Sequence, residues 1–321
     1  MMVLKAPWNE RNGRLSVLKL VVFVALFSPG AWIAYEWAAG MLDPKPVTEA
    51  IHATGQWAVR FILLSLLVTP LRRAAQWPKL INLRRMIGLA AFGYACVHFS
   101  LYVALDQKFM LWHVASEIAL RFYLTIGFVA LLGLAALAAT STDAMIKRLG
   151  GKRWNALHKL VYVIAALAIF HFYLQSKVDV SEPGLMMGLY FVLMIHRLLQ
   201  RRGWPAWSVL VGAAVAAPIA TALLEGVWYA IVRHIEFSQV LERNLDFDDD
   251  FRPAVYVAMA GVALAVVHLA RNWRPEWLSA LAAGASWSRR AILRAGRLVA
   301  AKQRRQADPL VEMEPTKVEE I

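Results

Sequence analysis

Eight stretches of this chain, 17–35, 51–71, 86–105, 122–139, 154–175, 185–198, 207–232 and 254–270, are apolar almost throughout. The hydrocarbon core of a bilayer needs roughly 20 such residues in a helix. Inside it the backbone has no water to bond, so helices are the only elements these runs can form. The chain is therefore expected to be an all-α membrane protein of about eight transmembrane helices. The sixth run is the shortest, so its span is the least well defined. With 18% charged and 59% apolar residues, the chain carries too little charge to cover a soluble domain of 321 residues.

The net charge of +13 could suit nucleic acid, but its placement argues otherwise. With the N-terminus inside, the segments before run one and after runs two, four, six and eight face the cytoplasm. They hold 26 Lys and Arg, counting Lys19 and Arg197 at the inner ends of their runs, and the outward segments hold only seven. That asymmetry orients the chain with both termini cytoplasmic. The first run is long, contains Pro29 and lacks a small-x-small cleavage site, so a retained helix is expected rather than a signal peptide. Cys96 is the sole cysteine, which rules out an internal disulfide.

Three regions differ in texture: 1–200 with short loops and polar residues inside the runs, 201–271 with two plainer runs, and a basic tail at 272–321. Between the last two runs lies an acidic loop carrying Asp246, Asp248, Asp249 and Asp250. Residues 286–302 suit a helix lying on an anionic leaflet, and 308–321 are too polar to fold. No nucleotide-binding loop occurs in any cytoplasmic segment.

Ionisable groups inside a membrane are costly and mark pathways or cofactors. His98 lies in run three, and His158 and His171 in run five, which runs in the same direction. At about 1.5 Å per residue, His98 is roughly 20 Å beyond Arg85 and His171 roughly 26 Å beyond Trp154, so the two share a depth in the outer half. His158 lies only about 6 Å beyond Trp154, too far from His171 to share one iron with it. Two imidazoles on facing helices at one depth can ligate a low-spin haem iron. They can equally be hydrogen-bonded packing residues. A bare metal fits less well, since no Cys, Asp or Glu stands at ligand spacing.

Several motifs occur in order: His52-Ala53-Thr54-Gly55-Gln56-Trp57-Ala58-Val59-Arg60-Phe61, Leu67-Val68-Thr69-Pro70-Leu71-Arg72-Arg73, Arg84-Arg85-Met86-Ile87-Gly88-Leu89 and Tyr94-Ala95-Cys96-Val97-His98. Thr140-Ser141-Thr142, Lys152-Arg153-Trp154-Asn155-Ala156-Leu157-His158-Lys159-Leu160-Val161-Tyr162 and His171-Phe172-Tyr173 follow. Together they resemble the haem-binding membrane subunit of the periplasmic protein-methionine-sulfoxide reductase system, within the ferric-reductase-like transmembrane superfamily. The resemblance spans about 20–200 and implies a six-helix core; the last two apolar runs add two C-terminal helices about which the resemblance says nothing. It implies haem b, with His98, His158 and His171 as the haem-associated histidines, and FMN as a second cofactor. It also implies electrons from the quinone pool or a reduced flavin, crossing the inner membrane to a periplasmic molybdenum-containing catalytic subunit. Where the wider superfamily carries a second histidine in run three, this chain has Arg84, so an inner bis-histidine haem is not expected.

Arg60 lies within run two, where an unpaired guanidinium is expensive. A haem propionate or flavin phosphate is the expected anion, with snorkelling or a carboxylate of the chain as alternatives. His52, Thr54 and Gly55 at the outer mouth could contact a quinol or a partner. Two rival functions stay open: a stand-alone ferric-reductase-like haem protein, and a cofactor-free transporter or scaffold.

Overall fold

Every apolar run is helical in the computed structural model, which describes residues 8–10, 13–42, 44–176, 179–246 and 251–272. The helices are α1 (Val17–Ala38), α2 (Pro46–Ala74), α3 (Arg84–Leu101), α4 (Leu111–Leu120), α5 (Phe122–Ala139) and α6 (Asp143–Leu149). They continue as α7 (Gly151–His158), α8 (Leu160–Gln175), α9 (Ser181–Arg201), α10 (Ala206–Arg233), α11 (Phe237–Leu245) and α12 (Pro253–Asn272). A 3-10 turn leads into α3, and a single π-type turn, Tyr102–Asp106, follows it. Asp248, Asp249, Asp250, the surface helix expected at 286–302 and the polar end at 308–321 lie outside the described residues.

Among the described residues, seven helical stretches are long and apolar enough to cross a membrane: α1, α2, Pro78–Asp106 around α3, α5, Gly151–Gln175 through α7 and α8, α10 and α12. The sixth expected span, α9, is 21 residues long but is not among them. Glu182 in its first turn and His196 and Arg197 towards its end dilute its apolar character. Apolar side chains point outward as well as inward: Val21, Val24, Phe27 and Trp32 on α1 are each about 60% exposed. Lipid is as apolar as leucine, so such a face costs nothing in a membrane.

The core gathers on α2, whose Phe61, Ile62 and Leu66 are buried against α3, α8 and α9. α1 is fastened through a defect. The Tyr94 hydroxyl, from α3, accepts the Gly30 N–H (2.7 Å) and donates to the Leu26 carbonyl (3.0 Å), entering the ladder beside Pro29. This anchor sits one turn before His98. Small residues let α9, α10 and α12 approach closely around Ala213, Ala217 and Val257. The fully buried Glu225 of α10 accepts from Asn244 Nδ2 (3.1 Å) and pairs with Arg252, which ties α11 and the start of α12 to α10.

Candidate functional site

His98 lies in the last turn of α3 and His171 near the end of α8, and the two imidazoles meet. Their ring centres are 6.3 Å apart with planes at 80°. Two imidazoles bound end-on to one metal through bonds of about 2 Å place their ring centres about 6 Å apart, so the gap fits a single iron.

Each ring is held from behind by a helical carbonyl. His98 Nδ1 lies 2.7 Å from the Ile51 carbonyl of α2, and His171 Nδ1 lies 2.8 Å from the Tyr123 carbonyl of α5. A carbonyl only accepts, so Nδ1 carries the proton in both rings and Nε2 keeps its lone pair. A metal-ligating histidine characteristically donates its other N–H in this way. No described residue bonds either Nε2.

Two glycines make room for these contacts. A Cβ on Gly55 would lie 2.8 Å from His98 Nδ1, and one on Gly127 would lie 2.8 Å from His171 Nδ1. Gly55 stands four residues after Ile51, and Gly127 four after Tyr123. The same device therefore occurs twice, once in each flanking helix. Tyr123 also stacks on His171, at 6.2 Å and 23°. Among the described residues no group of three or more His, Cys, Asp or Glu is gathered as for a bare ion. The donor set is two imidazoles, which suits an iron whose other positions a macrocycle fills.

His158 is not part of this pair. It closes α7 at the basic end of the bundle, stacked on Trp154 at 3.9 Å and 27°. Its Nε2 is 3.2 Å from the Thr140 hydroxyl, and Trp154 Nε1 donates to the Thr140 carbonyl (2.9 Å). Two motifs far apart in sequence, Thr140-Ser141-Thr142 and Lys152–His158, thus meet in one place. Arg85 closes the corner on Asp143 at 2.7 Å.

Arg60 finds its anion within the chain. Its Nη2 donates to Glu182 Oε1 of α9, and its guanidinium lies 4.7 Å over the Trp57 ring. The partner is thus a carboxylate of the chain rather than a cofactor anion, and with 122 residues between the two nothing local in the sequence marks it. His52 Nε2 lies 3.5 Å from Gln175 Nε2, beside the histidine pair. Gly127 and the carbonyls of Ile51 and Tyr123 were missed by the sequence reasoning. The available signal was a glycine inside an apolar run, but that run holds both Gly127 and Gly133 and nothing local tells them apart.

This is a helical membrane bundle with facing imidazoles on α3 and α8, and its residues 54–169 match the family described as ferric reductase like transmembrane component. The chain belongs to the family of the protein-methionine-sulfoxide reductase heme-binding subunit MsrQ. It is 41% identical over 191 residues to that subunit from Rhodospirillum rubrum, a match covering 60% of this chain and 89% of the relative. Against the subunit from Herminiimonas arsenicoxydans it is 40% identical over 187 residues, 58% of this chain and 86% of the relative. With that from Caulobacter vibrioides the identity is 35% over 182 residues, 57% and 87%. No solved structure matches.

Proposed function

We propose that this chain is the haem b subunit that carries electrons to the catalytic subunit of a protein-methionine-sulfoxide reductase system. One observation carries the proposal: His98 and His171 face each other at 6.3 Å, each with Nδ1 committed to a carbonyl. The names of the relatives support the cofactor and the system.

A haem held by His98 and His171 would supply a one-electron transfer centre. The chain's part is to hold and orient. Ile51 and Tyr123 fix the tautomer and direction of the imidazoles. Gly55 and Gly127 let α2 and α5 close against them. His98 and His171 are half-buried among apolar helices at membrane depth, where a charge change is felt strongly. His158, on the Thr140–Trp154 corner, is a contact for a second cofactor such as FMN.

The family resemblance supports the wider setting. The donor is the quinone pool or a reduced flavin. The acceptor is a periplasmic molybdenum-containing subunit that repairs methionine sulfoxide in oxidised proteins. The membrane is the bacterial inner membrane, with both termini cytoplasmic, as the 26-to-seven charge asymmetry supports.

Pyridine-haemochrome quantitation on purified wild type, His98→Ala, His171→Ala and His158→Ala tests the assignment. Near-complete haem loss is expected for the first two variants and a partial effect for the third. Full haem content in all three variants would overturn it.

A further inference from the structure

The basic end of the bundle carries more positive charge than its described surroundings neutralise. Arg197, in the penultimate turn of α9, is partly buried, with Arg84 and Arg201 as its charged neighbours. Its Nη1 and Nη2 donate to the carbonyls of Leu193 (3.1 Å) and Leu66 (2.7 Å), which satisfies hydrogen bonds but cancels no charge. One residue earlier, His196 is 4% exposed, with Arg73 and Arg197 acting on it. Arg73 donates to Gln200, whose Nε2 lies 3.4 Å from His196 Nε2, so the last turns of α2 and α9 are joined.

Two polar atoms in this region are buried without a partner: His196 Nδ1, and Arg72 Nε in the last turn of α2. Among the described residues no Asp or Glu forms an ion pair with Arg72, Arg73, Arg84, Arg197 or Arg201. The nearby acid, Asp143, is engaged by Arg85. Guanidinium groups do not lose their proton, so this cluster cannot relieve itself by titration. Arg72, Arg84 and Arg197 are partly buried, and repulsion among them is screened less than at an open surface, where Arg73 and Arg201 lie. A counter-anion is the remaining remedy.

We propose that this end binds a phosphate-bearing anion, an anionic phospholipid headgroup or a phosphorylated small molecule, between the last turns of α2 and α9 and the start of α3. Phosphate matches the need on three counts. Its oxygens accept from several guanidinium groups at once, and Arg engages it bidentately. A buried imidazole with a free nitrogen can donate to it. Basic recesses between membrane helices on the positively charged side also lie level with lipid phosphates. The proposal does not rest on the haem.

The test uses full-length protein purified in a mild detergent. Phosphorus per chain, after subtracting that of any flavin read from its own absorbance, is measured for wild type, for Arg73→Gln/Arg84→Gln, and for the control Lys147→Gln/Lys152→Gln. The control removes equal charge from exposed positions on α6 and α7 at the same end. Bound phosphorus should survive detergent washing in wild type and in the control. It should fall at least about tenfold in the arginine variant, as loss of charge-assisted bonds implies. Thermal melting of all three confirms that each is folded.

The source is then separated. The organic extract is examined for phospholipid, and delipidated protein is returned to vesicles of phosphatidylglycerol or of phosphatidylcholine. Retention of phosphatidylglycerol alone identifies a lipid headgroup. Phosphorus in the aqueous extract, with inorganic phosphate binding saturably to delipidated protein, identifies a phosphorylated small molecule. Equal loss in the arginine variant and the control means a diffuse field only, and overturns the site, as does wild type without bound phosphorus.

Discussion

Arg197→Leu removes the side chain that repairs a proline. Pro70, inside α2, has no N–H, so the Leu66 carbonyl four residues earlier lacks its helical donor. Arg197 Nη2 reaches across from α9 and donates to that carbonyl at 2.7 Å. Its guanidinium also lies 5.1 Å over the Tyr162 ring of α8. Leu66 is 0% exposed, so no water replaces the lost donor. An orphaned buried acceptor costs about 1–3 kcal/mol. Side-chain bonds in membrane proteins average about 0.6 kcal/mol and reach about 1.7. For a charged donor on an otherwise unmatched carbonyl, a loss of about 1.5 kcal/mol is expected, towards the top of that range. The diagnostic is Pro70→Ala, which supplies the missing N–H in place. In the Pro70→Ala background, Arg197→Leu should cost much less, a coupling of about 1 kcal/mol. Unfolding midpoints of wild type, both single variants and the double variant, in one detergent, give the cycle. Additivity within about 0.3–0.5 kcal/mol would refute the repair.

Gly127→Ala should displace the His171 imidazole, because the new Cβ would lie 2.8 Å from Nδ1; a lower haem-to-protein ratio with little change in the melting midpoint is expected, and an unchanged absorption spectrum would contradict it. For the Arg60–Glu182 pair, either single change to leucine leaves one charge uncompensated and should destabilise by about 3 kcal/mol or less, scaled down because both side chains are about one-third exposed. The double change should recover most of that loss. Thermal melting with haem content read in parallel checks this, and a double variant no better than the worse single one would show that Arg60 serves something other than Glu182.

What could be read from the sequence follows a physical pattern. Span positions were legible because a bilayer demands an uninterrupted apolar run, and that demand is local. The shared depth of His98 and His171 was legible because helix rise converts sequence distance into depth, while their role as a pair came only from the family resemblance. α9 was the weak span for a local reason too: Glu182, His196 and Arg197 interrupt it near both ends. The polar cross-links were not legible. Arg60 meets Glu182 across 122 residues and Arg197 meets Leu66 across 131, and nothing local in either segment names its partner. A membrane arginine announces that an anion or a carbonyl exists, but only the packing says which.

The histidine pair shows why its backbone supports stay hidden. Neither ring is oriented by a carboxylate, the partner a search for titratable residues would find. Each instead takes a carbonyl of an intact helix, Ile51 in α2 and Tyr123 in α5. Such a carbonyl has two lone pairs and gives only one to the helical N–H four residues later. The second is normally shielded by neighbouring side chains, including the one at that later position. Here that position is Gly55 in one helix and Gly127 in the other, so the lone pair stays open to an imidazole. The arrangement adds no charge beside the rings and leaves them neutral donors to a metal. A carboxylate would make them more basic and bring a second charge into the apolar interior. A glycine four residues after a carbonyl, on the helix face turned towards a histidine, is the mark such a site leaves in a sequence. It becomes readable only once the facing helix is known.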